Sequence, residues 1–182
     1  MPVKIIVTGD THGELKRFFD VMAKTEGVDA IIHCGDFYRD SIEIERKTGI
    51  PVTSVRGNCD DYQGPETATL ETPAGRIIAV HGHHLSCDPT RLSYLAEENG
   101  AKMVCFGHTH IAGIETVGGI KVVNPGSLVR PRDGSEGTYA VVMATEESLT
   151  ANIVRYSTTC GSKKKESPRG KLRDMFNYSD GF

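Results

Sequence analysis

The sequence of 182 residues predicts one α/β domain followed by a polar tail. Short β-branched runs alternate with helical segments early in the chain, which is typical of parallel βαβ units. Pairs of strands joined by tight turns follow, and these indicate antiparallel hairpins. Polar motifs rich in glycine end five of the strands. The carboxyl ends of strands are where open α/β sheets bind ligands, so the pattern also predicts where the site lies.

The N-terminal part is predicted to alternate strands with helices. The apolar run at residues 3–7 is short, β-branched and ended by turn residues, which favours a buried strand. Leu15, Phe18, Phe19 and Met22 recur at helical spacing, and Gly27 would end that helix. The predicted elements are strand 3–7, helix 14–24, strand 30–33, helix 41–47 capped by Asp40 or Ser41, and strand 51–55.

The following part is predicted to be richer in hairpins. Residues 72–75 and the Gly118-Gly119 pair are turn sequences between apolar runs. The predicted elements are hairpin strands 67–71 and 76–80, helix 91–98, strand 103–106, hairpin strands 114–117 and 120–123, and hairpin strands 139–144 and 150–156.

The composition changes at Ser157, where apolar residues become sparse and basic residues cluster at 163–165. We therefore expect a domain over residues 1–156 and a mobile basic tail over residues 157–182. Docking of that tail through Met175, Phe176 and Tyr178 is the alternative.

Charge and cysteine content limit the classes of function. The net charge of −3 provides no large basic surface, which argues against extended nucleic-acid binding. No run of apolar residues approaches the length of a membrane span, and residues 3–7 are too short for a signal peptide. The five cysteines are odd in number and form no CxxC pair, which favours free thiols in a reducing compartment. We expect a cytoplasmic protein without a membrane partner.

Side chains that commonly bind metals follow five of the predicted strands. They are Asp10, His12, Asp36, Asn58, His81, His108 and His110. Three oxygen donors and four imidazoles exceed one closed tetrahedral site, but they suit two metal ions that share a bridging carboxylate. Mixed nitrogen and oxygen donors favour Mn, Fe, Zn, Ni or Co over Ca or Mg alone.

The polar strand ends form five motifs along the chain: Gly-Asp-x-His-Gly at 9–13, Gly-Asp at 35–36, Gly-Asn-x-Asp at 57–60, His-Gly-His at 81–83 and Gly-His-Thr-His at 107–110. In this order, the motifs resemble those of the calcineurin-like metallophosphoesterases. The chain is most similar to the small phosphodiesterase branch that includes YfcE and the Vps29 fold, over about residues 3–156. The resemblance implies two face-to-face β-sheets flanked by helices, with the site at the strand ends.

The resemblance also implies two divalent ions, with Mn as the expected metal and Zn, Fe, Ni or Co as alternatives. Carried over to this sequence, the ligands form a first group, a second group and a bridge: Asp10, His12 and His110; Asn58, His81 and His108; and Asp36. A hydroxide held between the ions would attack phosphorus in line.

The catalytic candidates implied by the resemblance are Asn58, Cys59 and His83. Many relatives carry histidine where this chain has Cys59, and that histidine protonates the leaving oxygen. Cys59 and His83 are the alternatives for that role here. Asp60 is expected to orient a neighbour, and Asn124 with the turn 125–127 to support the floor of the site.

Other polar residues receive structural interpretations. His33 is expected to be a hydrogen-bonded core histidine, and Arg130 and Arg132 either surface residues or phosphate ligands.

The sequence therefore predicts a dinuclear phosphoesterase, and more specifically a phosphodiesterase acting on a small phosphodiester. A non-catalytic interaction scaffold on the same fold and a nuclease are the alternatives. The complete set of ligand-type residues favours the enzyme. The sequence leaves the oligomeric state open, with a homo-oligomer as one alternative.

Overall fold

The structure is a computed structural model that describes residues 1–161. It confirms the predicted fold class, because two five-stranded β-sheets pack face to face with helices on their outer faces. The elements in chain order are β1 (Val3–Thr8), α1 (Lys16–Met22), β2 (Ala30–His33), α2 (Tyr38–Thr48), β3 (Val52–Ser54), β4 (Thr67–Thr72), β5 (Gly75–Val80), a 3-10 helix (His83–Leu85), α3 (Pro89–Glu98), β6 (Ala101–Cys105), β7 (Gly113–Val117), β8 (Ile120–Asn124), β9 (Thr138–Ala144), β10 (Leu149–Arg155) and α4 (Tyr156–Cys160).

Each sheet contains three neighbouring parallel strands. The first sheet has the order β10-β9-β1-β2-β3, in which β1, β2 and β3 are parallel. The second has the order β4-β5-β6-β8-β7, in which β5, β6 and β8 are parallel. The carboxyl ends of these strands carry the predicted site residues, so the two sheets supply one site together.

Successive side chains of a strand point to opposite faces of its sheet, and the apolar ones build three layers. Ile5 and Val7 face the layer between the sheets, where they meet Ile77 and Met103 of the second sheet. Ile6, between them in sequence, faces the opposite side and packs in the layer that includes α1 and α2. A third layer lies between the second sheet and α3. Full burial of such a side chain stabilises the fold by about 1.5–3 kcal/mol.

Helix α2 begins earlier than the sequence predicts, and its predicted caps are wrong. Its first residue is Tyr38, and neither Asp40 nor Ser41 caps it. The backbone N–H of Tyr38 instead donates to the Asp60 carboxylate at 2.7 Å. A partner 22 residues away in sequence leaves no local signal, so the helix start could not be recognised.

A short helix, α4, follows strand β10 at the predicted boundary between the domain and the tail. Residues 156–160 form α4, which contacts α1, and Tyr156 and Cys160 are partly buried against the outer layer of the first sheet. The Tyr156 hydroxyl donates to Asp20 at 2.9 Å. Met175, Phe176 and Tyr178 lie outside the residues that the structure describes. Within residues 1–161, none of the helices has the length and apolar character to cross a membrane.

Candidate metal centre

The predicted ligand residues meet at the carboxyl ends of the parallel strands. A cleft of about 380 Å³ is lined by His12, Asp36, Asn58, His108 and His110. The other two predicted ligands, Asp10 and His81, are buried and contact members of this set.

The first cluster consists of Asp10, His12, Asp36 and His110, whose candidate ligand atoms all lie within 4.8 Å of one another. The Nε2 atoms of His12 and His110 are 3.3 Å apart. His110 Nε2 lies 3.5 Å from Asp10 Oδ1, and His12 Nε2 lies 3.8 Å from Asp36 Oδ2. Four donor atoms therefore converge on one point.

The second cluster consists of Asn58, His81 and His108. The Asn58 side-chain oxygen lies 3.0 Å from His81 Nε2 and 2.8 Å from His108 Nδ1. Asp36 joins the two clusters, because its Oδ1 lies 3.3 Å from His81 Nε2 while its Oδ2 faces His12.

The hydrogen bonds of two histidines fix which ring nitrogen faces the site. Nδ1 of His81 lies 2.8 Å from the Cys34 carbonyl and Nδ1 of His110 lies 2.7 Å from the Arg130 carbonyl. A carbonyl only accepts, so both Nδ1 atoms donate and the neutral rings present Nε2 lone pairs to the site. The lone pair of His81 then faces the oxygens of Asn58 and Asp36, which are also acceptors. Acceptors that face acceptors without a proton between them fit a metal cation.

The ionisation of the site is consistent with this fit. Burial lowers the pKa of His81 to about 4, and it also lowers the pKa values of His12 and His110. These imidazoles are therefore neutral at neutral pH and can donate to a metal. Burial, reinforced by the nearby Asp36 carboxylate, raises the pKa of Asp10 to about 8. Without a bound cation, ionisation of the buried Asp10 carboxyl is therefore energetically unfavourable at neutral pH.

Asp36 behaves differently from Asp10. Burial opposes its ionisation, but the His81 imidazole and the backbone N–H of Cys59 outweigh that effect and hold its pKa below the usual value. The Cys59 N–H donates to Asp36 Oδ1 at 3.0 Å. Asp36 is therefore a carboxylate at neutral pH.

Five of the seven predicted metal ligands share an unusual backbone conformation. Asp10, His12, Asp36, His108 and His110 all have positive φ angles, between 48° and 68°. This left-handed region costs a residue with a side chain roughly 1–2 kcal/mol. Such conformations cluster at functional sites, where surrounding contacts hold them in place.

Two glycines allow the close approach of the strand ends. A side chain at Gly57 would overlap the Asp36 carboxylate, and a Cβ at Gly107 would lie 2.9 Å from Asp10 Oδ2. The glycines of the motifs at 57–60 and 107–110 therefore make room for the ligand carboxylates.

The loop between Asp10 and His12 is held by a buried network that the sequence analysis missed. The Thr11 hydroxyl donates to Asp40 Oδ2 at 2.7 Å and lies 3.0 Å from His33 Nε2. Asp40 also accepts from the Gly13 N–H at 2.8 Å. His33 is buried, as expected, but its Nδ1 has no hydrogen-bond partner among the described residues. A threonine and a helical aspartate carry no motif, so only the tertiary contact identifies them.

The predicted supporting residues make the expected contacts. Asp60 accepts from the Gly57 N–H at 2.8 Å and so fixes the turn that carries Asn58. Asn124 donates to the Gly107 carbonyl at 3.0 Å. The Ser127 hydroxyl donates to the Asp10 carbonyl, also at 3.0 Å.

Cys59 and His83 occupy different places. Cys59 is exposed and lines the cleft, and partial desolvation of its thiol, together with the Asp36 carboxylate, raises the pKa of that thiol to about 11. His83 does not line the cleft but an adjacent cavity, although its ring centroid is only 5.9 Å from that of His108. Burial, followed by His84, lowers the pKa of His83.

Arg130 and Arg132 also line the cleft. Their segment is tied to the site, because the Arg132 N–H donates to the His110 carbonyl at 3.1 Å. Neither guanidinium forms an ion pair with residues 1–161. Both can therefore meet an anion that enters the cleft.

Comparison with known proteins gives matches over most of the chain. A family model described as the calcineurin-like phosphoesterase superfamily domain matches residues 3–147. The probable metallophosphoesterase YsnB of Bacillus subtilis is 34% identical over 166 residues, covering 88% of this chain and 94% of YsnB. The phosphodiesterase YfcE of Escherichia coli K12 is 25% identical over 185 residues, covering 83% and 97% respectively.

A solved structure shares the fold as well. It is that of a conserved protein from Streptococcus pneumoniae described as a predicted phosphoesterase. It aligns with a TM-score of 0.71 at 28% identity, covering 86% of this chain and 91% of that chain.

Proposed function

The chain belongs to the calcineurin-like phosphoesterase superfamily, as its motifs predicted, and on this premise we propose that it is a phosphodiesterase that works with two divalent metal ions. One observation carries the proposal. Asp36 directs one carboxylate oxygen toward His12 and the other toward His81, so that it lies between two groups of converging donors. This arrangement suits a carboxylate that bridges two ions.

The residues proposed to hold the ions follow from the two clusters. Asp10, His12 and His110 would hold the first ion, and Asn58, His81 and His108 the second. When bound, the ions supply Lewis acidity that activates water and neutralises charge on the phosphoryl oxygens. We propose manganese as the metal, with zinc, iron, nickel and cobalt as alternatives. All five metals accept the mixed nitrogen and oxygen donors found at this site.

The protein's own side chains then position the ester. Arg130 and Arg132 line the cleft, and neither guanidinium pairs with a carboxylate within residues 1–161, so we propose that they bind the non-bridging phosphate oxygens. The bonds of Asp60 to Gly57 and of Ser127 to Asp10 keep the ligand loops in place during the reaction. A small diester fits the size of the cleft, about 380 Å³.

Proton delivery to the leaving group is the weak part of this site. The Cys59 thiol holds its proton at neutral pH, but a pKa of about 11 makes it a poor acid. His83 is neutral at neutral pH because its pKa is lowered, so it is not a ready donor either. We therefore propose that the enzyme prefers esters whose leaving group needs little protonation, such as aryl esters.

The complete ligand set favours this enzyme over a non-catalytic scaffold. The net charge of −3 also favours a small diester over a long nucleic acid. The test is metal analysis of the protein reconstituted with Mn²⁺, together with hydrolysis of bis(p-nitrophenyl) phosphate. We expect close to two ions per chain and turnover that chelation abolishes.

A matched pair of variants makes this test specific. Asp36→Asn should lose both metal and turnover, since its carboxylate contacts both clusters. Asp61→Asn makes the same change at an exposed carboxylate outside the clusters and should retain both. Turnover by fully chelated protein, or an Asp36→Asn variant with normal metal content and rate, would contradict the proposal.

A further inference from the structure

Helix α2 contributes a buried carboxylate to the loop that carries His12. Asp40 lies in the first turn of α2 and is almost fully buried, although its side chain does not cap the helix. One oxygen of this side chain, Oδ2, accepts from the Thr11 hydroxyl at 2.7 Å and from the Gly13 N–H at 2.8 Å. These two donors belong to the residues on either side of His12. A single carboxylate oxygen therefore holds both neighbours of a candidate metal ligand.

The roles of donor and acceptor in this network follow from its members. A carboxylate only accepts, so the single proton of the Thr11 hydroxyl points to Asp40. The Thr11 oxygen then accepts from His33 Nε2, which lies 3.0 Å away. Burial lowers the pKa of His33 to about 4, so its ring is neutral at neutral pH and carries its one proton on Nε2. Both bonds of the hydroxyl are thus assigned, and the Thr11 side chain is fixed between two buried groups.

The position of His12 depends on this loop. The rings of His81 and His110 are each oriented by a bond from Nδ1 to a backbone carbonyl. Within residues 1–161 the His12 ring has no such bond, and its edge packs against Phe37 with ring centroids 5.5 Å apart. His12 also has a φ angle of 48°, a left-handed conformation that is unfavourable for a residue with a Cβ. Contacts of the neighbouring residues must therefore keep His12 in place.

The second cluster is held by different contacts. Asp60 fixes the turn that carries Asn58 by accepting from the Gly57 N–H at 2.8 Å, and a backbone carbonyl fixes the ring of His81. In the part of the chain that the structure describes, Asp40 forms no hydrogen bond with a residue of that cluster. Loss of the Asp40 side chain should therefore act on the first cluster alone.

We propose that Asp40 is a positioning residue for His12, and that it sets the affinity of the first metal ion through Thr11 and Gly13. This inference rests on the proposed two-metal function and adds to it a residue whose contacts are with the ligand loop. Removal of a hydrogen-bonded residue behind a metal ligand typically lowers metal affinity about 10–100-fold. The property that matters is the acceptor oxygen of Asp40, and the loss falls on the first ion.

The experiment measures the binding of each ion separately in the full-length protein. Asn58→Ala removes a ligand of the second cluster and leaves the first, and His110→Ala does the reverse. Titration with Mn²⁺, followed by the electron paramagnetic resonance signal of the free ion, gives the dissociation constant in each background. Adding Asp40→Ala should raise this constant about 10–100-fold in the Asn58→Ala protein and leave it within about threefold in the His110→Ala protein. An equal change in both backgrounds, or no change in the first, would overturn the proposal.

Conservative variants in the Asn58→Ala background separate the acceptor from the charge. Asp40→Asn keeps an oxygen that can accept from Thr11 and Gly13, so it should recover most of the affinity lost in Asp40→Ala. Thr11→Ser keeps the hydroxyl and should retain the affinity, whereas Thr11→Val should lower it. Thr11→Val also provides the test if Asp40→Ala does not fold. Unchanged affinity in Thr11→Val, or an Asp40→Asn variant as weak as Asp40→Ala, would refute the positioning role.

A neighbouring residue provides the control for damage to α2. Ser41 is also buried, and its hydroxyl lies 2.9 Å from that of Ser54 in β3. Ser41→Ala removes this buried contact from the same helix and should lower the melting temperature without changing Mn²⁺ affinity. A loss of affinity equal to that of Asp40→Ala would show general destabilisation of α2 and overturn the proposal.

The same titration separates this inference from the proposed function. Protein without substitutions that binds no Mn²⁺ would contradict the two-metal function itself. Protein that binds two ions, with first-ion affinity unchanged by Asp40→Ala, would overturn only the role of Asp40.

Discussion

Asp10 should destabilise the metal-free protein at neutral pH, and Asp10→Asn should relieve that cost. The carboxyl is fully buried, and its pKa is about 8 against an ordinary value of 3.8. The unfolded chain therefore releases this proton near pH 4, while the folded protein keeps it until about pH 8. Stability contributed by the protonated group is lost as pH rises through this interval.

The expected magnitude follows from the two pKa values. About three pH units separate the unfolded value from pH 7, at about 1.4 kcal/mol each, so the cost at pH 7 is at most about 4 kcal/mol. Asparagine keeps an oxygen that can accept from the His108 N–H, as Asp10 does at 3.0 Å. Its amide can also donate to His110 Nε2, which lies 3.5 Å from Asp10 Oδ1. The substitution therefore removes the charge without leaving its neighbours unpaired.

The assay is urea denaturation of chelator-treated protein at pH 5 and pH 7.5. Asp10→Asn should be more stable than the wild type by several kcal/mol at pH 7.5, with a smaller difference at pH 5, and it should bind Mn²⁺ weakly. Asp36→Asn is the control with the opposite sign. The pKa of Asp36 is lowered, so its charged form stabilises the fold above pH 4 and the substitution should destabilise. An Asp10→Asn variant less stable than the wild type at pH 7.5 would refute the reasoning.

Three further predictions concern the interior, the leaving group and the C-terminal segment. His33→Asn should lower the melting temperature by several degrees and leave the rate per bound metal within about threefold, because its ring lies behind Thr11, outside the cleft. A larger loss of rate in the metal-saturated His33→Asn variant would contradict this structural role of His33. Cys59→His should raise kcat on alkyl diesters more than on aryl diesters, by up to about 10²-fold, because an imidazole is a better acid than a thiol whose pKa is about 11. Similar wild-type rates on both classes, with only the alkyl rate lost in His83→Ala, would assign the acid to His83. Truncation after Gly161 should leave metal content and the aryl diester rate within about threefold, as measured by metal analysis and chromogenic assay, because no residue of either metal cluster lies beyond that point. Loss of folding would show that the segment beyond 161 packs on the domain.

The sequence by itself determined the fold class and the candidates for the site. Strand and helix periodicity depends on local spacing, so the βαβ units and hairpins were predictable up to a few residues at their ends. The polar residues that follow each strand were predictable for the same reason, since parallel strands of one sheet end at one edge. The start of α2 was not, because Asp60 caps it from another segment.

Only the tertiary structure decided how these residues work together. It directs the two oxygens of Asp36 to different histidines and buries Asp10 beyond the reach of water. It also places Thr11 against His33, and His83 in a cavity separate from the metal cleft. Each of these contacts joins segments far apart in sequence or depends on a side-chain direction. Direction and burial set the pKa values and the hydrogen-bond roles, and residue spacing alone carries neither.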